Sequence, residues 1–200
     1  NNARTELVGM GTQTAALAAG GSPPANAGYT ESWDGTSWTT KNVLSRGSAT
    51  PQASAYAAGA GSTTSALFFG GDEGPNTTAL CEQFDGTNWT EVGDLTTARS
   101  HMAGAGTSND SVITFGGYPG PLAVTEEWNG SAWTEVADLN TARQRDMAAC
   151  QGTTTASLCF GGDASPDHLT VTEKWDGTSW TEVADLATGV NDSGGAGVQS

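Results

Sequence analysis

TEEWNGSAWTEVADLNTAR, residues Thr125–Arg143, decides the fold because the chain repeats it: Thr172–Gly189 reads TEKWDGTSWTEVADLATG. Working outward, the same pattern recurs in two more places. Double glycines stand at Gly20–Gly21, Gly70–Gly71, Gly116–Gly117 and Gly161–Gly162. An aromatic follows each of them, at Trp33, Phe84, Trp128 and Trp175, and a tryptophan comes after that at 38, 89, 133 and 180. Each unit closes on a leucine, Leu44, Leu95, Leu139 or Leu186. The tryptophans set a period of 44 to 51 residues, which is the length of a four-stranded propeller blade rather than of a solenoid rung.

Each unit predicts four strands. The first is made of tiny residues: LVGMG, AAGAG, MAGAG and, in the last unit, MAACQ at Met147–Gln151. The second is apolar and ends on the double glycine, as in SALFFGG, SVITFGG and ASLCFGG. The third runs to the aromatic (YTESW, LCEQF, VTEEW, VTEKW) and the fourth opens on the tryptophan (WTEVGDL, WTEVADL). Between these two lies Asp34–Gly35, Asp85–Gly86, Asn129–Gly130 or Asp176–Gly177, and such a pair supplies the positive φ that a tight hairpin needs. The second strand does not alternate: Leu67, Phe68 and Phe69 run together, so both of its faces must be covered. Sheets stacked face to face around an axis cover both, and the strand of glycine and alanine is the one that fits the crowded centre. The expected repeats span about 1–44, 45–95, 96–139 and 140–186, with 187–200 beginning a further one. Asn1–Arg4 aligns with Asn140–Arg143 and GGAGVQS resembles another first strand, which points to a longer array or to closure against another chain.

Bulk composition excludes several partners. The formal charge is -15 with 7 Lys and Arg, so the basic surface that phosphate neutralisation requires is missing and nucleic acid is not an expected ligand. Anionic membranes repel such a chain, and no apolar run approaches the ~20 residues of a spanning helix, so no membrane insertion is expected. The start, NNARTELVG, has no signal-peptide pattern. The 3 cysteines, Cys81, Cys150 and Cys159, show no zinc spacing and are expected to be buried free thiols, although Cys150 and Cys159 flank a predicted hairpin and could face one another.

Four hydrophobic residues, a double glycine, an aromatic and a spaced tryptophan resemble the kelch motif of β-propellers, over nearly the whole chain, and Arg99 and Arg143 after the fourth strand fit it as well. The usual tyrosine of the third strand is Trp or Phe here. GTQTAALAAGG, TEEWNGSAWTEV and DLNTAR are more closely similar to kelch-like arrays in structural and tail-fibre proteins of marine bacteriophages. The resemblance implies an all-β, kelch-type propeller of four-stranded antiparallel blades, placed on a virion or outside the cell. Its partners would be a host surface glycan or protein and neighbouring virion or filament subunits, and a homo-oligomer stays open.

Catalytic chemistry finds little support. The tryptophans and the glutamates Glu31, Glu82, Glu126 and Glu173 recur in every unit. Recurrence assigns the former to packing rather than to sugar stacking, and the latter to loop caps or local ion pairs rather than to a glycosidase carboxylate pair. SWDGTSW resembles the Asp-box turn of sialidases but is one residue short, and the arginines Arg4, Arg46, Arg99 and Arg143 follow the repeat instead of clustering. The copper centre of galactose oxidase, which also contains kelch repeats, needs paired histidines and tyrosines. The two histidines, His101 and His168, stand in non-equivalent positions, and with the tyrosines Tyr29, Tyr56 and Tyr118 they show no ligand set. No catalytic residue, metal site or cofactor is assigned, and acidic residues after the double glycines read as a solvated rim.

Variation is concentrated in two loops. Those after the double glycine read SPPANAG, DEGPNTT, YPGPLAV and DASPDHL; those joining one unit to the next vary as freely. Strand alternation places both at one end of the sheets, and diverse loops on a constant scaffold form a recognition surface. Asp72, Glu73, Asn76, Tyr118, Asp163, Asp167 and His168 are its expected lining. The chain is therefore read as a non-enzymatic adhesion module. The alternative is a structural decoration or spacer of a virion fibre or filament, and a glycan-active enzyme is the least supported reading.

Overall fold

The computed structural model describes residues 3–22, 28–47, 55–73, 75–144, 150–164 and 167–191. The GGAGVQS segment, most of the joining loop 45–54, the centre of the first variable loop and Arg145 lie outside them. The described chain is all-β and forms four four-stranded antiparallel sheets in chain order, each with neighbouring strands consecutive in that sheet. Sheet 1 contains β1 (Val8–Thr12), β2 (Ala15–Ala19), β3 (Thr30–Trp33) and β4 (Trp38–Lys41). Sheet 2 contains β5 (Ala58–Ser62), β6 (Ser65–Phe69), β9 (Cys81–Phe84) and β10 (Trp89–Glu91), with an extra hairpin, β7 (Asp72–Glu73) and β8 (Asn76–Thr77), in its variable loop. Sheet 3 contains β11 (Ala103–Ser108), β12 (Ser111–Phe115), β13 (Thr125–Trp128) and β14 (Trp133–Glu135). Sheet 4 contains β15 (Cys150–Thr153), β16 (Ala156–Phe160), β17 (Thr172–Trp175) and β18 (Trp180–Glu182).

The sheets stack face to face, and the unbroken apolar second strand is the reason. Leu67 and Phe69 face sheet 3, in a cluster with Val112, Trp128 and Trp133. Ala66 and Phe68, on the other side of the same strand, face sheet 1 in a cluster with Leu17, Ala19 and Leu44. Sheets 3 and 4 repeat the arrangement with Ile113, Phe115 and Leu139 against Cys159, Trp175 and Trp180. Burying one Leu or Phe completely stabilises by about 1.5–3 kcal/mol. Phe68, Phe69, Phe84 and Phe115 are all fully enclosed.

First strands meet first strands: β5 lies against β1 and β11, and β11 against β15. Their small residues border a shared cavity of about 450 Å³ that Gly9, Gly59, Gly104 and Gly152 all reach. Glycine is also required locally. At Gly61 (φ +118) an added Cβ would collide with the Ser65 carbonyl oxygen, and at Gly152 (φ +139) with that of Ala156.

The expected strand MAACQ lies partly outside the described residues, which resume at Cys150; β15 is described as Cys150–Thr153, and Gly152 fills the glycine position of Gly61. Register places Cys150 opposite Cys159, while Cys81 and Cys159 are buried free thiols.

Glycines at the hairpin turns adopt the expected positive φ, from +91 at Gly130 to +96 at Gly86. The preceding residue completes each turn. The Asp85 carboxylate accepts the amide hydrogens of Thr87 and Asn88 at 2.8 and 2.7 Å, and Asp34 and Asp176 do the same. These backbone donors hold all three carboxyls below the ordinary aspartate value. Asn129 supplies the neutral equivalent, accepting from Ser131 and Ala132 at 3.0 Å.

Candidate functional site

A buried ion pair fixes the end of each sheet that carries the variable loops. Arg99, from the segment joining sheets 2 and 3, donates to Glu126 on β13 at 2.8 Å and to the carbonyls of Gly116 and Val124 at 2.9 Å. Arg143 repeats this with Glu173, Gly161 and Val171, Arg46 with Glu82, Gly70 and Leu80, and Arg4 with Glu31, Gly20 and Tyr29. The first glycine of each pair, at φ +61 to +69, thus belongs to a socket whose carbonyl accepts the guanidinium. The carboxylates also tie down the incoming segment: Glu126 accepts from the Thr96 amide, and Glu173 from the Asn140 and Thr141 amides. Burial pushes Arg99 below the ordinary arginine value, with Glu126 opposing the shift. The recurring glutamates are therefore structural ion-pair partners.

On this clamp the two variable loops meet. The residue after each double glycine bridges antiparallel to the incoming segment: Thr5 with Ser22, Ala55 with Asp72, Ser100 with Tyr118, and Gln144 with Asp163. The next incoming residue then takes a left-handed conformation without being glycine: Glu6 at φ 58, Tyr56 at φ 54 and His101 at φ 53. Each such backbone costs on the order of 1–3 kcal/mol. The three side chains join into a row across sheets 1 to 3. The Tyr56 hydroxyl donates to Glu6 at 2.7 Å. The Tyr56 and His101 rings stack at 3.9 Å and 16°. His101 meets Tyr118 edge-on at 6.1 Å, and its Nδ1 lies 2.9 Å from the Ser100 hydroxyl. Tyr118 is 42% exposed, so the row ends on an open aromatic face.

The residues expected from sequence stand at this end in three groups. Asp72, Glu73 and Asn76 share the β7–β8 hairpin, where Asp72 pairs with Thr77 and Glu73 with Asn76. One Glu73 oxygen is enclosed without a hydrogen-bond partner. Tyr118 caps the aromatic row. Asp163 and His168 bridge one another, and Ala164 donates to the Asp167 carbonyl at 3.2 Å. Asp167 and His168 are exposed. Asp163 departs from its expected place on the surface: it is 7% exposed, held by backbone pairing with both Gln144 and His168. Tyr56 and His101 were missed, because each sits in a joining loop with no counterpart of its own type. The one signal was their common position, two residues ahead of the tiny-residue strand.

Such a surface has flat apolar rings beside carboxylates, which fits hydroxyl-rich or neutral polar ligands better than anions. Among the described residues no group of three or more His, Cys, Asp and Glu is gathered as for a metal ion, and no helix is long and apolar enough to cross a membrane. Five tryptophans, at 89, 128, 133, 175 and 180, are 6% exposed or less and belong to the intersheet packing.

Fold and site together define an all-β repeat protein of stacked four-stranded antiparallel sheets with a diversified loop end. No protein-family model matches the chain, and no curated protein matches it.

Proposed function

We propose that the sheets are blades of a kelch-type β-propeller and that the protein is a non-enzymatic adhesion module, carried on a phage virion or tail fibre and recognising a glycan or protein of the host surface. The row Tyr56–His101–Tyr118 carries this reading. It is partly solvent-facing, it lies at the end where loops diverge, and the buried Arg–Glu pairs fix that end of the sheets. Aromatic faces stack on the apolar faces of sugar rings, and Asp72, Glu73 and Asn76 on the adjacent hairpin offer acceptors and an amide for hydroxyl groups. The net charge of -15 favours neutral or cationic glycans over sialylated ones.

Glycan-array binding and adsorption to host cells test the reading, with Tyr118→Ala as the variant. An aromatic anchor is worth about 1–2 kcal/mol, so binding should weaken roughly 5- to 30-fold with the melting temperature unchanged. Wild-type binding that survives Tyr118→Ala and Tyr56→Ala together would refute it. A structural role in a fibre or filament is the second reading, in which the net charge of -15 keeps the assembly soluble. No glycan or cell binding, with ordered chain-to-chain contacts in micrographs, would support it.

A further inference from the structure

We propose that the hairpin turn Asn129–Ala132 of sheet 3 is a modification site, at which the Asn129 side chain loses its amide as ammonia through attack by the Gly130 backbone nitrogen. All four residues of the turn are exposed. Asn129 Oδ1 accepts from the Ser131 amide, the Ser131 hydroxyl and the Ala132 amide, each at 3.0 Å. These donors polarise the side-chain carbonyl and draw electrons from Cγ. When a nucleophile adds at Cγ, negative charge collects on this same oxygen, and donors already placed within about 2.7–3.1 Å of it are what stabilises an oxyanion. The nucleophile is supplied by the next residue. Its nitrogen closes a succinimide ring, and glycine sets no side chain in the way.

In the first step the bond from Gly130 N to Asn129 Cγ forms and the bond from Cγ to the side-chain nitrogen breaks. Ammonia departs, taking the Gly130 amide proton through water. Water then adds to Cγ, the ring bond breaks, and a proton returns to Gly130 N, leaving aspartate. Addition at the other ring carbonyl leaves the isoaspartyl isomer instead. Water is consumed, ammonia is released, and nothing is oxidised or reduced.

The other turns present the same donors to a carboxylate. Asp34, Asp85 and Asp176 each accept two backbone amides at 2.7 to 2.9 Å, and those donors hold the carboxyls below the ordinary aspartate value. An ionised carboxylate is a poor electrophile with no ready leaving group, so these turns are inert, and aspartate is a product whose fit the turn already demonstrates. The surroundings of the third turn differ. A Cβ on Gly130 would lie 3.2 Å from that of Asp110, whereas Gly35, Gly86 and Gly177 adjoin Thr14, Thr64 and Thr155. Modification therefore places a new carboxylate in the one turn that already borders an acidic residue, where like charges oppose one another. Asn88, Asn109 and Asn140 precede Trp89, Asp110 and Thr141, whose side chains crowd the attacking nitrogen.

Peptide mapping by mass spectrometry, on folded chain aged in mildly alkaline buffer, tests the proposal, with melting curves confirming that each variant is folded. Exchange of amide for hydroxyl should accumulate at Asn129 at least about tenfold faster than at Asn88, Asn109 or Asn140. Ser131→Ala keeps the Asn-Gly pair but removes one donor. It should slow the folded chain about 5-fold, the factor of one net hydrogen bond, and leave the rate in urea-unfolded chain unchanged. Asp85→Asn offers an amide to the donors of Thr87 and Asn88 and should create a second reactive turn, which returns to aspartate on ageing. An Asn129 that stays intact, or reacts no faster than Asn88, would overturn the proposal. So would folded Ser131→Ala ageing at the wild-type rate, or Asp85→Asn that keeps its amide.

Discussion

Replacing Cys81 with threonine is expected to stabilise this protein. Cys81 stands in β9 where sheets 1 and 3 carry Thr30 and Thr125, the acceptors for Trp89 and Trp180. The tryptophan of sheet 3, Trp133, lies over Cys81 in the same way, but its Nε1 is buried without a hydrogen-bond partner, because a thiol is a weak acceptor. A buried orphan donor costs about 1–3 kcal/mol and a made hydrogen bond contributes about 1 kcal/mol net. The added methyl offsets some of this, although threonine is accommodated at 0 to 5% exposure in sheets 1, 3 and 4. The expected gain is ~1 kcal/mol, or about 2–4 °C in melting temperature for a chain of this size. Calorimetry gives the shift, and slower solvent exchange of the Trp133 indole hydrogen reports the bond itself. A double-mutant cycle with Trp133→Phe should yield a coupling near 1 kcal/mol. An unchanged melting temperature, with Trp133→Phe costing as much as Trp89→Phe in the wild type, would refute the reasoning. The substitution also has a pH signature. Burial pushes the Cys81 thiol up to about 12; Arg46 opposes that shift, as does the Trp133 N–H, which faces the thiol without meeting hydrogen-bond geometry. A thiol whose folded value is raised contributes stability that is complete below the unfolded value, near 9, and lost as pH climbs toward 12. Wild type should therefore lose more stability than Cys81→Thr across that window.

The ion pairs and turns make further demands on experiment. Arg99→Met strands Glu126, whose side chain is 0% exposed, and should cost about 3–5 kcal/mol. Arg4→Met should cost clearly less, since Glu31 is 14% exposed; equal losses in chemical denaturation would show that burial does not set the energetics. Asp85→Asn should be near neutral at pH 7, because Asn129 performs the same turn in sheet 3. In acid the variants should part. A carboxyl held below its ordinary value contributes stability above the unfolded value of about 4 and loses it as pH falls through the folded one. Amide exchange at Thr87 should accelerate below that pH in wild type and not in Asp85→Asn, while Ser131 stays indifferent in both.

What the sequence disclosed and what it withheld divides along physical lines. Strand positions were legible because the signals are local: a double glycine, an Asp-Gly or Asn-Gly turn, an apolar run. Two-sided burial of β6 followed from Leu67–Phe69 alone. The register of β15 was not legible, since Cys150 and Gln151 stand where the other first strands carry small residues and Gly152, not Gln151, takes the glycine position of Gly61. Both members of each ion pair were visible as recurrences. Their union was not, because Arg46 and Glu82 are far apart in the chain and meet only once the Gly70 and Leu80 carbonyls have formed the socket.

The same separation explains why the row Glu6–Tyr56–His101 escaped notice. A repeat is detected by what its units share, whereas the proposed recognition surface is made from what they do not. Glutamate, tyrosine and histidine occupy one backbone position with φ between 53 and 58, and no alignment by residue type relates them. The clamp and the turn are constant, so each of the first three units delivers its variable residue to the same place beside its neighbour's. Diversity at that position is cheap, because the buried Arg–Glu pair and the glycine socket, not the variable side chain, hold the segment. The arrangement therefore predicts its own tolerance. Exchanging Tyr56 for phenylalanine removes the 2.7 Å bond to Glu6 and should change stability by no more than about 1 kcal/mol, whereas any exchange at Arg46 beneath it should cost several times as much. A Tyr56→Phe loss in urea denaturation as large as that of Arg46→Met would mean that the row, and not the clamp, organises this end of the sheets.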